Sequence, residues 1–363
     1  MYIKNDLNYS KLCFVYDNCS PLLEGENVKG SSHLLEHLLC SHYKEMRDAI
    51  QANDLGEEAH TGAENMVIQF SGMAPRVESV AEKLAELIIH GKPVDKDRFL
   101  KEKETVIQEI RMKYAQPIPL AVHNMLREGF GFYGSAGTEQ GVLNFSYEDY
   151  LKFSEKVFSK PWILSIGPNP MLESESHEEL YPHKYPSYEK ITKESFIDKK
   201  SSNEQKTVFI TANNQSRDDD EALLLDVAIG ALSTGLQSPF MQELREKRGL
   251  VYMAGGVLFE MGGRLPSFFA VSTKPKECLD IMKEILYNVE KYLDENRINV
   301  LRSQAIAIEE QRELFRYKTA RNIIDHHAGY TVPSTKYELI TKENIVNVIN
   351  KFFGEGKDFT YIE

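Results

Sequence analysis

A stretch rich in Pro, Ser, Glu and Lys, from 168 to 205, divides this sequence into two halves in which similar elements follow in the same order. The stretch (PNPMLESESHEELYPHKYPSYEK) shows little periodicity and reads as a linker. In the first half, NMVIQFSG at 65–72 reads as a strand. A helix over 76–90 follows, with Val77, Val80, Leu84, Leu87 and Ile88 at helical spacing and Gly91 at the C′ position. A second helix, capped by Asp95, places Phe99, Leu100, Val106, Ile107 and Ile110 on one face and stops before Pro117. In the second half the strand SFFAVST at 267–273 is followed by helices over 275–293 and 295–316. Ser71 and Ser272 lie 201 residues apart, and Pro75 and Pro275 lie 200 apart. The expected fold class is therefore α+β, as two copies of one unit, each a sheet packed with helices. The expected domains are 1–170 and 206–363, joined by a linker over 171–205. Further strands are expected at 11–16 (KLCFVY), 162–167 (WILSIG), 206–212 (KTVFITA) and 251–259. Further helices are expected at about 219–232 and through FMQELREKRG, and Ser31 and Ser32 offer an N-cap to a helix that opens on HLLEHLL.

Composition narrows the function classes. The 363 residues suffice for two domains, each burying its own core. Apolar residues at 42% and charged residues at 27% exclude a disordered or collagen-like chain. No apolar run is long enough to span a membrane, so no membrane partner is expected. With 43 basic and 55 acidic side chains the net charge is −12, which repels phosphate backbones, so nucleic acid is not an expected partner either. Cys13, Cys19, Cys40 and Cys278 form no CxxC pair, so neither a Cys-rich zinc site nor a disulfide framework is indicated. The first residues, MYIKNDLNYSKLCFVYDN, lack a basic segment followed by an apolar one. A cytoplasmic chain with free thiols is expected.

The segment that carries chemistry is His33-Leu34-Leu35-Glu36-His37. On a helix, residues three and four apart share a face, so His33, Glu36 and His37 cluster while Leu34, Leu35 and Leu38 pack inward. Two imidazoles one turn apart can chelate a Zn²⁺, with the carboxylate beside it, and a catalytic site then needs a third protein ligand. Glu102 and Glu109, seven residues apart in KEKETVIQEIRM, lie two turns along one helix face. One of them can reach the metal while the other holds a ligand histidine in its tautomer. The bland alternative is an amphipathic helix with exposed polar residues beside a solvated acidic face.

H-x-x-E-H is the inverted zincin signature. With its flanks GSSHLLEHLL and KEKETVIQEIRMKYAQP, the sequence resembles the pitrilysin-type metallopeptidase family. Further similarities are GTEQGVLNFSYEDYLKF at 137–153 and SPFMQELREKRGLVY at 238–252. The resemblance implies one Zn²⁺ per chain held by His33, His37 and Glu109, with Glu102 in the supporting position and Glu36 as general base. It maps the family's Arg-x6-Tyr pair onto Arg245 and Tyr252, which would act on substrate and on the developing oxyanion. It also puts Glu58-Ala59 where the family commonly has Asn-Ala on the edge strand beside the zinc. The expected function is a zinc endopeptidase acting on unfolded peptides, the substrate adding as a strand near 58–62. By analogy with larger members that carry more such units, a homodimer is expected, the Arg-Tyr pair of one subunit completing the zinc site of the other in trans. A non-cleaving peptide-binding or scaffold subunit, or a non-proteolytic zinc protein, is the competing expectation.

Other residues carry weaker signals. Cys40 follows His37 by three residues and reads as a buried helix thiol. His326 and His327 are adjacent, so they point different ways on a helix. Gly262-Gly263 reads as a hairpin turn. GFGFYGSAG at 129–137 lacks a phosphate-loop ending and reads as a loop near the cleft.

Overall fold

The structure, a computed structural model, describes residues 1–4, 7–40, 44–157, 161–172, 196–198, 205–315, 323–325 and 331–362. Most of the expected linker, and the His326-His327 pair, lie outside the described residues. The chain divides into two compact units, Met1–Gln116 with Tyr133–Tyr185, and Pro117–Phe132 with Pro186–Glu363.

In the first unit the strands are β1 (Tyr2–Lys4), β2 (Tyr9–Tyr16), β3 (Gly56–Thr61), β4 (Met66–Met73) and β5 (Trp162–Gly167). They form a sheet in the order β1-β5-β2-β4-β3, antiparallel except for β1 beside β5. Its helices are α1 (Ser31–Cys40), α2 (Lys44–Ala52), α3 (Ala74–Glu78), α4 (Ala81–Ile89) and α5 (Lys96–Tyr114). In the second unit, helix α6 (Pro117–Phe130) precedes β6 (Phe196–Asp198) and β7 (Lys206–Ala212). Two short helices of the first unit, α7 (Glu139–Asn144) and α8 (Tyr147–Val157), come between them in the chain. Helix α9 (Asp219–Ser233) follows β7, and then come β8 (Met253–Glu260) and β9 (Arg264–Ser272). The unit closes with α10 (Pro275–Tyr287), α11 (Val289–Tyr292), α12 (Glu295–Phe315), α13 (Lys342–Phe352) and β10 (Asp358–Ile362).

The second sheet has the order β6-β10-β7-β9-β8, with β6 parallel to β10 and the rest antiparallel. This is the topology of the first sheet, strand for strand. The repeat read from two serines and two prolines is thus a repeat of register. Lys11 pairs with Ser71 on β2–β4, and Lys206 pairs with Ser272 on β7–β9. Pro75 and Pro275 each sit in the first turn of the helix that follows, where a missing N–H costs nothing.

Alternation along β2 explains the first core. Leu12, Phe14 and Tyr16 pack with Leu34, Leu35, Leu38 and Leu39 of α1 and with Val106, Ile107 and Ile110 of α5. Asp95 caps α5 as expected, accepting from the Arg98 N–H at 2.8 Å. The helix expected over 76–90 instead breaks at Ser79–Val80 into α3 and α4. The Ser79 hydroxyl donates to the Arg76 carbonyl, so a local bond competes with the helical ladder there.

Helix α6 had no counterpart in the sequence reading, which placed its residues within 1–170. It counts with the second unit because its apolar face belongs there. Thr211 of β7 contacts the Met125 sulfur, and Phe130 packs edge-on against Phe359 of β10. Gly129 allows that approach, since a Cβ there would lie 2.5 Å from the Phe359 ring. Part of the GFGFYGSAG run is therefore helix rather than loop. The expected helix through FMQELREKRG is a π-helical segment over Met241–Glu246, marked by the Lys247 N–H donating to the Gln242 carbonyl at 3.0 Å. Gly262-Gly263 does form the turn between β8 and β9.

Candidate metal centre

The backbone just ahead of α1 is shaped by glycine. Gly30 has φ 104° and touches Gly137, where a Cβ would lie 2.2 Å from the Gly30 Cα. Ser31 and Ser32 do not cap the helix from outside; both lie within α1. Glu24 takes that role. Its carboxylate accepts from the Gly30 N–H at 2.8 Å and the Ser32 N–H at 2.6 Å, a negative charge placed against the helix N-terminus. Burial pushes the Glu24 carboxyl up from its ordinary range, and those N–H donors pull it back.

With the leucines turned inward, α1 presents His33, Glu36 and His37 on its other face. Helix α5 packs beside it through Val106, Ile107 and Ile110 and so brings up Glu109. Glu109 Oε2 lies 3.4 Å from His33 Nε2 and 3.4 Å from His37 Nε2. Donors about 2.0–2.2 Å from a tetrahedral Zn²⁺ lie about 3.3–3.5 Å from one another, so these separations fit such an ion. His33, His37 and Glu109 are the one cluster among the described residues whose donor atoms converge in this way, all within 4.8 Å.

Glu102 does not join them. Its Oε2 lies 3.5 Å from His37 Nδ1, on the far side of that ring, while Oε1 meets Arg98 at 2.6 Å. A buried carboxylate there is placed to accept from Nδ1, which would leave the Nε2 lone pair for a metal. Burial, helped by the charges of His37 and Lys113, pushes the His33 imidazole down to about 4, so at neutral pH it is in the unprotonated form that a metal binds.

Glu36 is half-buried beside the cluster. Burial pushes its carboxyl up, the Thr61 hydroxyl pulls it down, and the neighbouring Glu109 pushes it up. The Thr61 hydroxyl donates to Glu36 Oε2 at 2.5 Å. Ala59, His60, Thr61, Lys113, Ser135 and Ala136 complete a cleft of about 340 Å³ with His33, Glu36 and Glu109.

The cleft wall includes β3, an edge strand that among the described residues pairs with β4 alone. Residues alternate along it, so Ala59 and Thr61 face α1 while Glu58 turns away. Glu58 accepts from Gln69 Nε2 at 2.5 Å, and Gln69 Oε1 accepts from Lys11. The Glu58 side chain is thus engaged across the sheet rather than over the histidines. Arg245 and Tyr252 lie in the second unit and meet each other, with the guanidinium 5.4 Å from the ring centroid and the Tyr252 side chain 82% exposed. Cys40 is outside the donor cluster, and burial raises its thiol pKa, which keeps it protonated.

The equivalent place in the second unit is a groove of about 420 Å³ between α9, β8 and α12, lined by Leu223, Asp226, Leu258 and Gln304 among others. Helix α9 (DDEALLLDVAIGALS) carries no histidine. Sequence reasoning missed Glu24, Arg98, Thr61 and Lys113. Only Arg98 had a sequence signal, its i,i+4 spacing to Glu102 on one helix.

A family model described as the Peptidase M16 inactive domain matches residues 144–304. No curated protein matches the chain significantly. The fold is shared with solved structures at low identity. A protease from Helicobacter pylori superposes with a TM-score of 0.82 at 16% identity, covering 99% of this chain and 95% of that one. A peptidase M16 inactive domain from Pseudomonas fluorescens gives 0.77 at 13%, covering 99% and 94%. The periplasmic protease PqqL from Escherichia coli gives 0.73 at 12%, covering 99% of this chain and 43% of that one.

Proposed function

We propose that this chain is a zinc-dependent endopeptidase of unfolded peptides, working in the cytoplasm as a homodimer. One observation carries the reading: a carboxylate oxygen equidistant from two imidazole nitrogens, with a second, half-buried carboxylate beside them. The M16 inactive-domain match spans 144–304, so it takes in none of His33, Glu36, His37 or Glu109. That leaves the word "inactive" attached to the part of the chain without the donor cluster.

His33, His37 and Glu109 would hold one Zn²⁺, which when bound polarises a carbonyl and lowers the pKa of its water. Glu36 accepts the proton of the attacking water and later delivers it to the leaving amine. Glu102 keeps His37 oriented through Nδ1. The outer edge of β3, the end strand of its sheet, would present backbone N–H and C=O groups to an extended peptide, a mode tolerant of sequence. Tyr252, with Arg245 against its ring, donates toward the oxyanion from the partner subunit.

The family match favours a second reading, a non-cleaving peptide-binding or scaffold subunit of the same fold. Metal analysis combined with cleavage of a quenched peptide library separates the two. The endopeptidase binds one zinc per chain, cuts peptides, stops when a chelator is added, and loses roughly 10²–10⁴-fold in kcat on Glu36→Gln with zinc retained. A zinc-loaded parent that cuts nothing in the library supports the scaffold instead.

A further inference from the structure

We propose that Thr61 is the positioning residue for Glu36, holding the general base in the one orientation that reaches the attacking water. The inference rests on the peptidase reading above. Its hydroxyl donates to Glu36 Oε2 at 2.5 Å, across 25 residues of sequence, and its backbone also contacts that carboxylate. A glutamate near a cleft has three rotatable bonds, and a base that wanders by an ångström loses most of its effect. Something rigid must therefore hold it.

Thr61 is mounted rigidly. It closes the β3–β4 ladder opposite Met66, at the last pair before the turn. The turn is locked by the Gly62 N–H donating to the Asn65 carbonyl at 2.8 Å. Ser20 and the Leu22 N–H both donate to the Ala63 carbonyl from the segment leading to α1. The hydroxyl is thus fixed to the strand that would receive the peptide. One element sets both where the substrate backbone lies and where the base points.

The test uses the zinc-loaded full chain with Thr61→Val, which keeps the shape and removes the donor, and Thr61→Ser, which restores it. Each is measured for kcat and KM on a quenched peptide, zinc affinity by chelator competition, and thermal midpoint. The expected result is a kcat loss of roughly 10–100-fold for Thr61→Val, with KM and zinc affinity within about twofold of the parent. Thr61→Ser recovers most of the kcat. In a Glu36→Asp background, where the shorter side chain no longer meets the hydroxyl, Thr61→Val costs far less, because the two residues act as one.

Parental kcat in Thr61→Val overturns the inference and leaves the peptidase reading intact. So does a Thr61→Ser variant as slow as Thr61→Val, or a kcat loss that tracks lost zinc or lost folding. A parent that binds zinc and cuts no peptide overturns the peptidase reading, and this inference with it.

Discussion

At His33, burial favours the neutral imidazole that the proposed zinc would need. Its imidazole ordinarily titrates near 6.5 and is held down to about 4 in the folded chain, first by desolvation and then by the charges of His37 and Lys113. A folded state that binds fewer protons than the unfolded one gains stability as pH rises. In the metal-stripped protein this contribution is complete above about 6.5 and is lost as pH falls from there toward about 4, amounting to ~3 kcal/mol. Urea midpoints of chelator-treated protein at pH 7 and pH 4.5 check it. The drop between them is expected to shrink markedly in His33→Gln, which cannot titrate, and an equal drop in both would assign it to other groups. The donors at this scale were legible because chelation itself demands spacing: one helical turn separates His33 from His37, and Glu109 sits on a helix with its own apolar stripe. The Thr61 contact was not legible. It is made by a strand folding back over α1, and no periodicity joins position 36 to position 61.

Whole helices were readable where an apolar face repeats and a cap announces the start, as Asp95 does for α5. Helix α1 is a different case. Its start depends on Glu24, seven residues upstream of Ser31, and on the Gly30–Gly137 contact, so the two serines in its first turn pointed to the wrong cap. Glu24→Ala removes the carboxylate that accepts from two backbone N–H groups at once and is expected to cost ~1–2 kcal/mol of stability, the range of a lost N-cap. The same variant loosens the turn that carries His33, so its zinc affinity falls too. Chemical denaturation and chelator titration check the two effects; unchanged zinc affinity would show that His33 is held by its core neighbours instead. Helix α6 escaped notice because two prolines, Pro117 and Pro119, sit in its first turn and mimic a loop. Strand β10 was missed for a different reason, since it gains its partners only from β6 and β7, far away in sequence.

The repeat explains how the whole chain divides its labour. Both sheets have one topology, yet of the two helices beside an edge strand only the first unit's carries histidines of the donor cluster. The matching helix, α9, buries Ala222, Leu225, Ala228, Ala231 and Leu232 and serves its own core. The second unit instead presents Tyr252, 82% exposed with Arg245 over its ring, an aromatic donor that the proposed reaction uses at the oxyanion. In the proposed homodimer each subunit supplies the zinc and base for one cleft and the Tyr-Arg pair for the other. Glu36→Gln and Tyr252→Phe proteins, each nearly inactive alone, then complement. After exchange at equal amounts, half of the dimers are mixed and each holds one cleft with Glu36 on one side and Tyr252 on the other. Peptide cleavage is expected to recover to about a quarter of the parental rate. Mass spectrometry of intact dimers confirms that exchange has occurred. If mixed dimers form and cleavage stays at the level of the separate variants, Tyr252 does not act across the dimer, and its exposure needs another explanation.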